Sequence, residues 1–404
     1  MEQLISAFGL LCMLLIAYAC SSSRKSINWK TVVSGIVLQI IFGLIILKTG
    51  FGRSVFEHAR ELFTGILNFT NEGSRFIFGP LTDVSKIGFV FAFLVLPTII
   101  FMSSLMSVLY YIGVMQVLIK FVAKIMVKVM GTSGSESLAS AANIFAGQTE
   151  APLVIRPFIG SMTKSELMAL MTGGMATVAG GVLAAYVGLG VDAGHLLAAS
   201  VMSAPAALVC AKLMVPETEV SQTKGEVKLD LPNAHANMID AAASGASEGL
   251  ALALNVGAML LAFIALIAMV NGAFGKFGGM IGYPELSLEL ITGYLFAPIA
   301  WLLGVPWGDC LVVGTLLGKK LILNEFVAYL DLREAMPNIS ERATIISTYA
   351  LCGFANFSSI AIQIGGIGTL APERRQDLAK LGIKSLVGGT LACLMTACIA
   401  GIFI

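Results

Sequence analysis

The sequence has few charged residues. Only 12% of its 404 residues are Asp, Glu, Lys or Arg, whereas a soluble domain averages about 25%. The formal net charge is +1, and the basic residues gather in short loops rather than on one face, as nucleic-acid binding would require. These absences exclude a nucleic-acid-binding module and argue against a soluble globular domain.

The sequence also lacks the histidine and cysteine patterns of metal and redox sites. There are three histidines, His58, His195 and His235, and no HExxH-type spacing puts two of them on one helix face. None of the seven cysteines has the CxxC spacing of a zinc or redox site, and we interpret them as small hydrophobic residues. They are Cys12, Cys20, Cys210, Cys310, Cys352, Cys393 and Cys398. No metal site of His and Cys ligands is predicted.

Apolar residues make up 57% of the chain, and the mean hydropathy is +0.89. Several apolar runs are long enough to cross about 30 Å of hydrocarbon at roughly 1.5 Å per residue. The sequence therefore predicts an all-α integral membrane protein, a polytopic helical bundle. The continuous spans are predicted at 4–20, 31–49, 87–112, 194–214, 250–274 and 382–403.

The first span is predicted to be retained, because Met1 to Ala17 lacks the basic region of a signal peptide. The loop after it carries Arg24, Lys25 and Lys30 and no acidic residue. By the positive-inside rule this loop is cytoplasmic, which places the N-terminus outside the cytoplasmic membrane. The end of the last span is expected outside as well.

Three other segments are predicted to lie outside the continuous spans, and a fourth is open. Residues 53–63 mix charged and apolar residues, which is typical of an interfacial helix. Residues 118–130 carry lysines every four residues on one face, which suits a contact with lipid headgroups. Residues 216–247 are polar and are predicted to be a solvent loop, helical at most near its end. Residues 286–303 either span the bilayer or lie flat.

Two further segments are too polar and too broken to be single spanning helices. In 133–161, Gly147, Pro152 and Pro157 interrupt the helix, and the tip carries Glu150. A re-entrant hairpin fits this segment, since non-helical backbone at membrane depth must be buried in protein or line an aqueous cavity. The span that follows, 165–189, is interrupted around Thr177 by glycines, and we expect it to be unwound there.

The second half of the chain has the same layout. Residues 308–332 form a second broken unit that holds Glu325, and 343–368 are interrupted around Asn356. Glu150 and Glu325 are 175 residues apart and the two helix breaks are 179 apart. A charge in hydrocarbon costs at least about 2.5 kcal/mol, so such acids usually face a cavity and a partner. Paired broken helices predict an inverted-repeat transporter with a site at the membrane midplane.

Three motifs resemble the concentrative nucleoside transporters, in their prokaryotic form with eight transmembrane helices, and the resemblance covers nearly the whole chain. The motifs are Gly147-Gln-Thr-Glu-Ala-Pro-Leu, Asn324-Glu-Phe-Val-Ala and Gly353-Phe-Ala-Asn-Phe-Ser-Ser. The resemblance implies uphill nucleoside uptake driven by sodium, by alternating access, in a homotrimer with one site per protomer. It also implies a scaffold at 1–130, a transport unit at 131–214 and 307–404, and a polar loop with a scaffold span at 215–306.

The resemblance implies roles for particular residues when the motifs are matched by position. The first hairpin tip would contact the base through Gln148 and Thr149, with Glu150 towards the ribose and Val182 in apolar contact. Glu325, Asn356 and Ser359 would hold the ribose hydroxyls. Sodium would be bound by the Asn143 and Thr177 side chains and by the Ala146 and Val178 carbonyls. Proton-driven members carry a different residue at the position of Asn143, which favours sodium here.

Several alternatives remain open at this point. Glu150 could pair with Arg156, and Glu325 could pair with Lys319 or Lys320. The rival functions are a proton-coupled symporter, a passive channel and an intramembrane hydrolase with the two glutamates as acid and base. For the hydrolase, no nucleophile with an adjacent histidine, metal cluster or phosphate loop accompanies the glutamates. A channel usually repeats charge in rings and needs no paired broken helices.

Overall fold

The computed structural model describes residues 1–88, 90–225, 235–283 and 285–404, and in these ranges the chain is helical without strands. Seven described helical segments are long and apolar enough to cross a membrane. The all-helical membrane fold predicted from the sequence is confirmed. The seven segments are Glu2–Ala19, Trp29–Lys48, Phe91–Tyr111, Lys164–Gly188, Ala193–Met214, Met238–Met280 and Pro372–Phe403.

The first third of the chain differs from expectation mainly at its third helix. The helices are α1 (Glu2–Ala19), α2 (Trp29–Lys48), α3 (Gly50–Phe78), α4 (Val84–Ile87), α5 (Phe91–Leu94), α6 (Leu96–Tyr111) and α7 (Val114–Met130). The interfacial helix predicted at 53–63 is part of α3, which has 29 residues. The side chains of Arg53, Val55, Phe56, Arg60 and Phe63, on which that prediction partly rested, lie outside the described residues.

The predicted span 87–112 is interrupted at Val95. Pro97 lies in the first turn of α6, and a proline has no backbone N–H to continue a helix from the preceding turn. The chain therefore ends α5 at Leu94 and begins α6 at Leu96. Among the described residues of this region, α6 provides the long continuous helix.

The first hairpin and the first broken helix have the predicted layout. The hairpin consists of α8 (Gly134–Ala142), a turn, and the short helices α9 (Ala151–Val154) and α10 (Arg156–Ile159). The broken helix consists of α11 (Lys164–Ala176) and α12 (Gly180–Gly188), and α13 (Ala193–Met214) follows. Capping boxes start both units, at Ser133 with Glu136 and at Thr163 with Glu166, so the sequence defines where each helix begins.

In the middle of the chain, the boundaries of the polar loop and of the helix after it differ from the prediction. Residues 226–234 of the loop predicted at 216–247 lie outside the described residues, and the last part of that loop is helical, because α14 (Met238–Met280) begins at Met238. Its 43 residues correspond to about 65 Å, far longer than the predicted 250–274. The α15 helix (Leu288–Leu302) has 15 residues, about 22 Å, which is shorter than a full crossing.

The last part of the chain repeats the arrangement of the first hairpin unit. The second hairpin is α16 (Cys310–Ile322) and α17 (Glu325–Ala335), the second broken helix is α18 (Glu341–Leu351) and α19 (Phe357–Leu370), and α20 (Arg375–Phe403) ends the chain.

The two hairpins enter from opposite ends of α20. At its start, Arg374 Nη1 donates to the Gly160 carbonyl at the base of the first hairpin, at 3.0 Å. At its end, the Gly401 carbonyl accepts from Arg342 Nη2 at 2.7 Å, and Arg342 Nε also donates to Gly304 O beside the second hairpin, at 2.8 Å. The inverted layout is therefore visible in these contacts.

Candidate functional site

Glu325 is buried at the tip of the second hairpin. It is the first residue of α17, and the Asn324 side chain caps that helix by accepting from Val327 N at 2.9 Å. Glu325 Oε1 accepts from the Tyr186 hydroxyl at 2.9 Å, and Oε2 accepts from Asn356 Nδ2 at 3.1 Å. A helix N-terminus and two hydrogen-bond donors offset part of the cost of burying this carboxylate.

The lysines near Glu325 in sequence have other partners. Lys319 pairs with Glu289, at 3.4 Å, and with Asp331. Lys320 Nζ donates to the Ala350 carbonyl at 2.8 Å. The structural ion pair considered for Glu325 is therefore absent from the described part of the chain, and its hydrogen-bond donors are neutral groups.

The first hairpin tip and the second helix break meet at Gln148 and Ser359. Gln148 Nε2 donates to Ser359 Oγ at 3.1 Å. Asn356 Oδ1 accepts from Ser359 N at 2.9 Å, which caps α19, while its amide group donates to Glu325. Gln148, Asn356 and Ser359 are all buried. Four predicted site residues, from two hairpins and one break, thus form one hydrogen-bonded cluster.

Glu150 faces a cavity. Its Oε2 accepts from Gly147 N at 3.1 Å, and the residue lines a cavity of about 460 Å³ together with Tyr110, Arg156 and Glu248. Over the described ranges, no salt bridge joins Glu150 to Arg156. The cavity lies within the range of small-molecule sites, roughly 300–1,000 Å³.

The remaining predicted contacts lie beside this cluster. Thr149 is exposed next to Glu150, and its methyl carbon lies 3.1 Å from where a Cβ on Gly366 of α19 would be. Val182 is buried in α12, four residues before Tyr186. That spacing places Val182 and Tyr186 on one face of the helix, and the tyrosine reaches Glu325.

Asn143 has the properties of a cation ligand. It is 1% exposed, and neither Oδ1 nor Nδ2 has a hydrogen-bond partner among the described residues. A buried amide without partners costs about 1–3 kcal/mol, so a bound group that uses this oxygen would remove part of the cost. Its amide nitrogen lies 3.0 Å from the Cβ position of Gly173, which places the side chain against α11 just before the first break.

The other predicted sodium ligands surround the same break. Thr177 Oγ1 donates to Gly173 O at 2.9 Å, which leaves its lone pairs available. Ala146 and Val178 are fully buried and lie outside the helices, in the hairpin tip and in the break. Gly180 N donates to Phe145 O at 2.9 Å and ties the tip to the break. Neutral oxygens of this kind suit a hard cation.

The sequence interpretation missed two residues of the cluster. Tyr186 follows Val182 by four residues, and this i, i+4 relationship could have identified it. Gln363 lies in an otherwise apolar stretch of α19, four residues after Ser359. Its Nε2 donates to Gln148 Oε1 at 3.1 Å and to Met171 O at 3.0 Å. An amide on the same helix face as a predicted site serine was the available signal.

The two helix breaks also touch directly. Phe354 N donates to Thr177 O at 3.3 Å, and Gly353 packs against the end of α11 so closely that a Cβ would lie 2.8 Å from Met175 O. The break that carries predicted sodium ligands therefore contacts the break that carries Asn356.

Three family descriptions together match most of the chain. Residues 8–81 match the N-terminal part of the Na⁺-dependent nucleoside transporters, residues 195–401 match their C-terminal part, and residues 92–192 match a gate domain described as nucleoside recognition. The last match contains the first hairpin and the first broken helix.

Relatives and solved structures agree with these matches. An uncharacterised transporter, YutK of Bacillus subtilis, is 49% identical, and the alignment covers 100% of both chains. The sodium/nucleoside cotransporter 1 of Mus musculus is 44% identical over 99% of this chain, which spans 64% of that longer protein.

The structure of CNTnw in an inward-facing substrate-bound state superimposes with a TM-score of 0.95 at 48% identity, covering 100% of this chain and 98% of that one. A doubly substituted CNTnw in an outward-facing state gives 0.96 at 47% identity, with 100% and 99% coverage. The prediction of a sodium-driven nucleoside symporter that works by alternating access is confirmed. The protein is a transporter rather than an enzyme. The chain belongs to the family of Na⁺-dependent nucleoside transporters.

Proposed function

We propose that one nucleoside binds between the two hairpin tips of each protomer. Gln148 and Thr149 contact the base, Glu150 lies towards the ribose, and Val182 gives apolar contact. Glu325, Asn356 and Ser359 bind the ribose hydroxyls. The hydrogen-bonded cluster of Gln148, Ser359, Asn356 and Glu325 supports this assignment.

The observation that carries the proposal is the buried Glu325 carboxylate, whose hydrogen-bond donors among the described side chains are neutral. Tyr186 and Asn356 each use one of its oxygens, and neither neutralises its charge. Vicinal hydroxyls can donate to the remaining lone pairs, and hydrogen bonds to charged groups contribute about 1.5–3 kcal/mol. A ribose therefore suits this site, and a free base without its sugar should bind poorly.

Sodium is the coupling ion in this proposal. Its ligands are Asn143 Oδ1, Thr177 Oγ1 and the carbonyl oxygens of Ala146 and Val178. The buried Asn143 amide, which has no hydrogen-bond partner among the described residues, supports this ligand set. The sodium ligands in the hairpin are only a few residues from Gln148 and Glu150, so a bound ion orders the tip. Sodium binds first and lowers the entropic cost of nucleoside binding.

The proposal extends to the oligomer, the moving parts and the orientation in the membrane. The protomer is a member of a homotrimer in the cytoplasmic membrane, with 131–214 and 307–404 moving as the transport unit against a scaffold of 1–130 and 215–306. Both termini lie outside the cell. Glu2 and the Gly401 carbonyl contact the same Arg342, which supports one common side for the two ends. The basic loop at 24–30 supports the cytoplasmic side for the opposite end of α1.

The decisive experiment measures binding and uptake with Glu325→Gln. Purified protein should bind uridine more tightly in sodium than in choline at fixed pH, and the variant should lose both binding and uptake in proteoliposomes. Glu334→Gln on the exposed face of the same helix is the matched control and should behave like the parent. Equal uridine affinity in sodium and choline, or normal uptake by Glu325→Gln, would contradict the proposal.

The same measurements separate the rival functions. Uptake that continues in choline but follows a pH gradient would indicate proton coupling. Flux that never exceeds the equilibrium distribution of uridine would indicate a channel. Competition of labelled uridine uptake by a panel of purine and pyrimidine nucleosides then defines the base preference.

A further inference from the structure

Gln363 connects three elements around the site. It is 1% exposed on α19. Its Nε2 donates to Gln148 Oε1 at the first hairpin tip, at 3.1 Å, and to the Met171 carbonyl on α11, at 3.0 Å. A neutral amide nitrogen has two N–H groups, and both have partners here.

This contact fixes which way the Gln148 amide points. Gln148 Oε1 accepts from Gln363, and Gln148 Nε2 donates to Ser359 Oγ. If the Gln148 amide were rotated by 180°, its NH₂ group would face the NH₂ group of Gln363, two donors with no acceptor between them. The network therefore selects one orientation.

The fixed orientation determines what Gln148 can offer to a ligand. A primary amide has two donors and an oxygen with two lone pairs. After the bonds to Ser359 and Gln363, one N–H and one lone pair remain. A fixed donor and acceptor pair can read the edge of a base, whereas a freely rotating amide accepts either pattern.

The packing around Gln363 leaves little freedom for rearrangement. A Cβ on Gly174 of α11 would lie 2.8 Å from Gln363 Nε2 and 2.9 Å from Gln148 Cβ. Because Gly174 has no side chain, both glutamines can pack against the helix at this point. Gln363 is therefore held between the helix and the hairpin tip.

We propose that Gln363 is a positioning residue that sets base discrimination by fixing the Gln148 amide. It does so without touching the nucleoside. The proposal rests on the proposed function, in which Gln148 contacts the base. Loss of Gln363 should therefore weaken discrimination at the base edge and leave discrimination at the ribose unchanged.

The test compares Gln363→Leu with the parent in proteoliposome uptake, using three substrates. Uridine is the reference, 3-methyluridine blocks the base edge, and 2′-deoxyuridine removes a ribose hydroxyl. We expect the ratio of KM for 3-methyluridine to KM for uridine to fall about fivefold, as for one lost hydrogen bond. The 2′-deoxyuridine ratio should stay at the parent value.

Gln39→Leu is the matched control. Gln39 is as deeply buried and donates through Nε2 to Thr396 Oγ1 at 3.0 Å. Like Gln363, it has an Oε1 without a partner among the residues that the structure describes. It lies away from the hairpin tips, so both ratios should match the parent. If Gln363→Leu does not fold, Gln363→Glu tests the same point, because it keeps the shape and replaces the donor with an acceptor.

A double-substitution cycle separates the positioning role of Gln363 from the base contact of Gln148. In a Gln148→Ala background, Gln363→Leu should leave the base ratio at the value of the single Gln148→Ala variant. If Gln148→Ala alone does not change the base ratio, the assigned base contact of the proposed function fails. If Gln148→Ala changes the base ratio but neither Gln363 variant does, only the role of Gln363 is overturned. The same holds if the Gln363 variants lower the base ratio and the ribose ratio together.

Discussion

The Tyr186 hydroxyl donates a hydrogen bond to Glu325 Oε1 at 2.9 Å, across 139 residues of sequence. This contact joins α12, the second half of the first broken helix, to the tip of the second hairpin. The Tyr186 ring also packs on Phe326 and Tyr329, with centroid distances of 5.3 and 4.3 Å. The hydroxyl is therefore held in place by ring packing, and the carboxylate is oriented before any ligand arrives.

Tyr186→Phe should weaken nucleoside binding without unfolding the protein. The ring packing remains, but Glu325 loses a donor, and hydrogen bonds to charged groups contribute about 1.5–3 kcal/mol. A loss at the lower end of that range corresponds to roughly tenfold in uridine affinity, which calorimetry in sodium buffer can measure. Tyr349→Phe is the control, because Tyr349 is equally buried and bonds to His195 instead. Equal losses in the two variants would contradict the assigned role of Tyr186.

The outline of the fold was predictable because its signals are local. Capping residues such as Ser133, Thr163 and Asn324 mark where helices begin, and breaks at membrane depth stand out against apolar surroundings. The length of α14 was not predictable from hydropathy alone, because its first turns are polar and resemble a loop. Helix formation there depends on the Asn237 cap and on packing against α6.

Asn143→Ala should abolish the dependence of nucleoside binding on sodium. The substitution removes a polar side chain that makes no hydrogen bond within the described part of the chain, so its cost to the fold is small. Uridine affinity should fall to the value that the parent shows in choline, and sodium titration should give no further change. Thr172→Ala is the control, since its hydroxyl on α11, the helix that Asn143 packs against, is also buried without a partner among the described residues. Retained sodium dependence in Asn143→Ala would remove Asn143 from the ion site.

The first hairpin base contains a buried ionic cluster that the sequence interpretation did not identify. Lys212 Nζ lies 2.6 Å from Glu136 Oε2, 3.3 Å from Glu217 Oε2 and 2.9 Å from Ser165 Oγ. Glu136 and Lys212 are 76 residues apart, and no local spacing connects them. Pairings of this kind depend on how α8 and α13 pack, which one-dimensional patterns do not contain.

Lys212→Met should destabilise the protein strongly. It leaves Glu136, which is 3% exposed, as an uncompensated buried charge, and breaking a buried pair in this way costs about 3–5 kcal/mol. The thermal midpoint in detergent should fall. The double substitution Lys212→Met with Glu136→Gln should recover much of the loss, because it removes the uncompensated charge of Glu136. Lys164→Met, at an exposed site nearby, is the control. A double variant no more stable than Lys212→Met would show that the uncompensated charge of Glu136 does not cause the loss.

Gly353→Ala should separate the two helix breaks. An added Cβ would lie 2.6 Å from Cys393 Sγ, 2.8 Å from Met175 O and 2.9 Å from Ala176 C, two of which are backbone atoms that cannot rotate away. Overpacking of this kind typically costs about 1–3 kcal/mol, and the strain falls on the bond from Phe354 N to Thr177 O.

Because Thr177 is a proposed sodium ligand and Asn356 a proposed nucleoside ligand, Gly353→Ala should weaken the binding of both. Calorimetry should show a lower affinity for sodium and for uridine, together with a lower thermal midpoint. Gly365→Ala on α19 is the control, since no atom of the described residues lies within 4 Å of its Cβ position and alanine favours a helix over glycine. If Gly353→Ala lowered stability but left both affinities at the parent value, the contact between the breaks would be structural only.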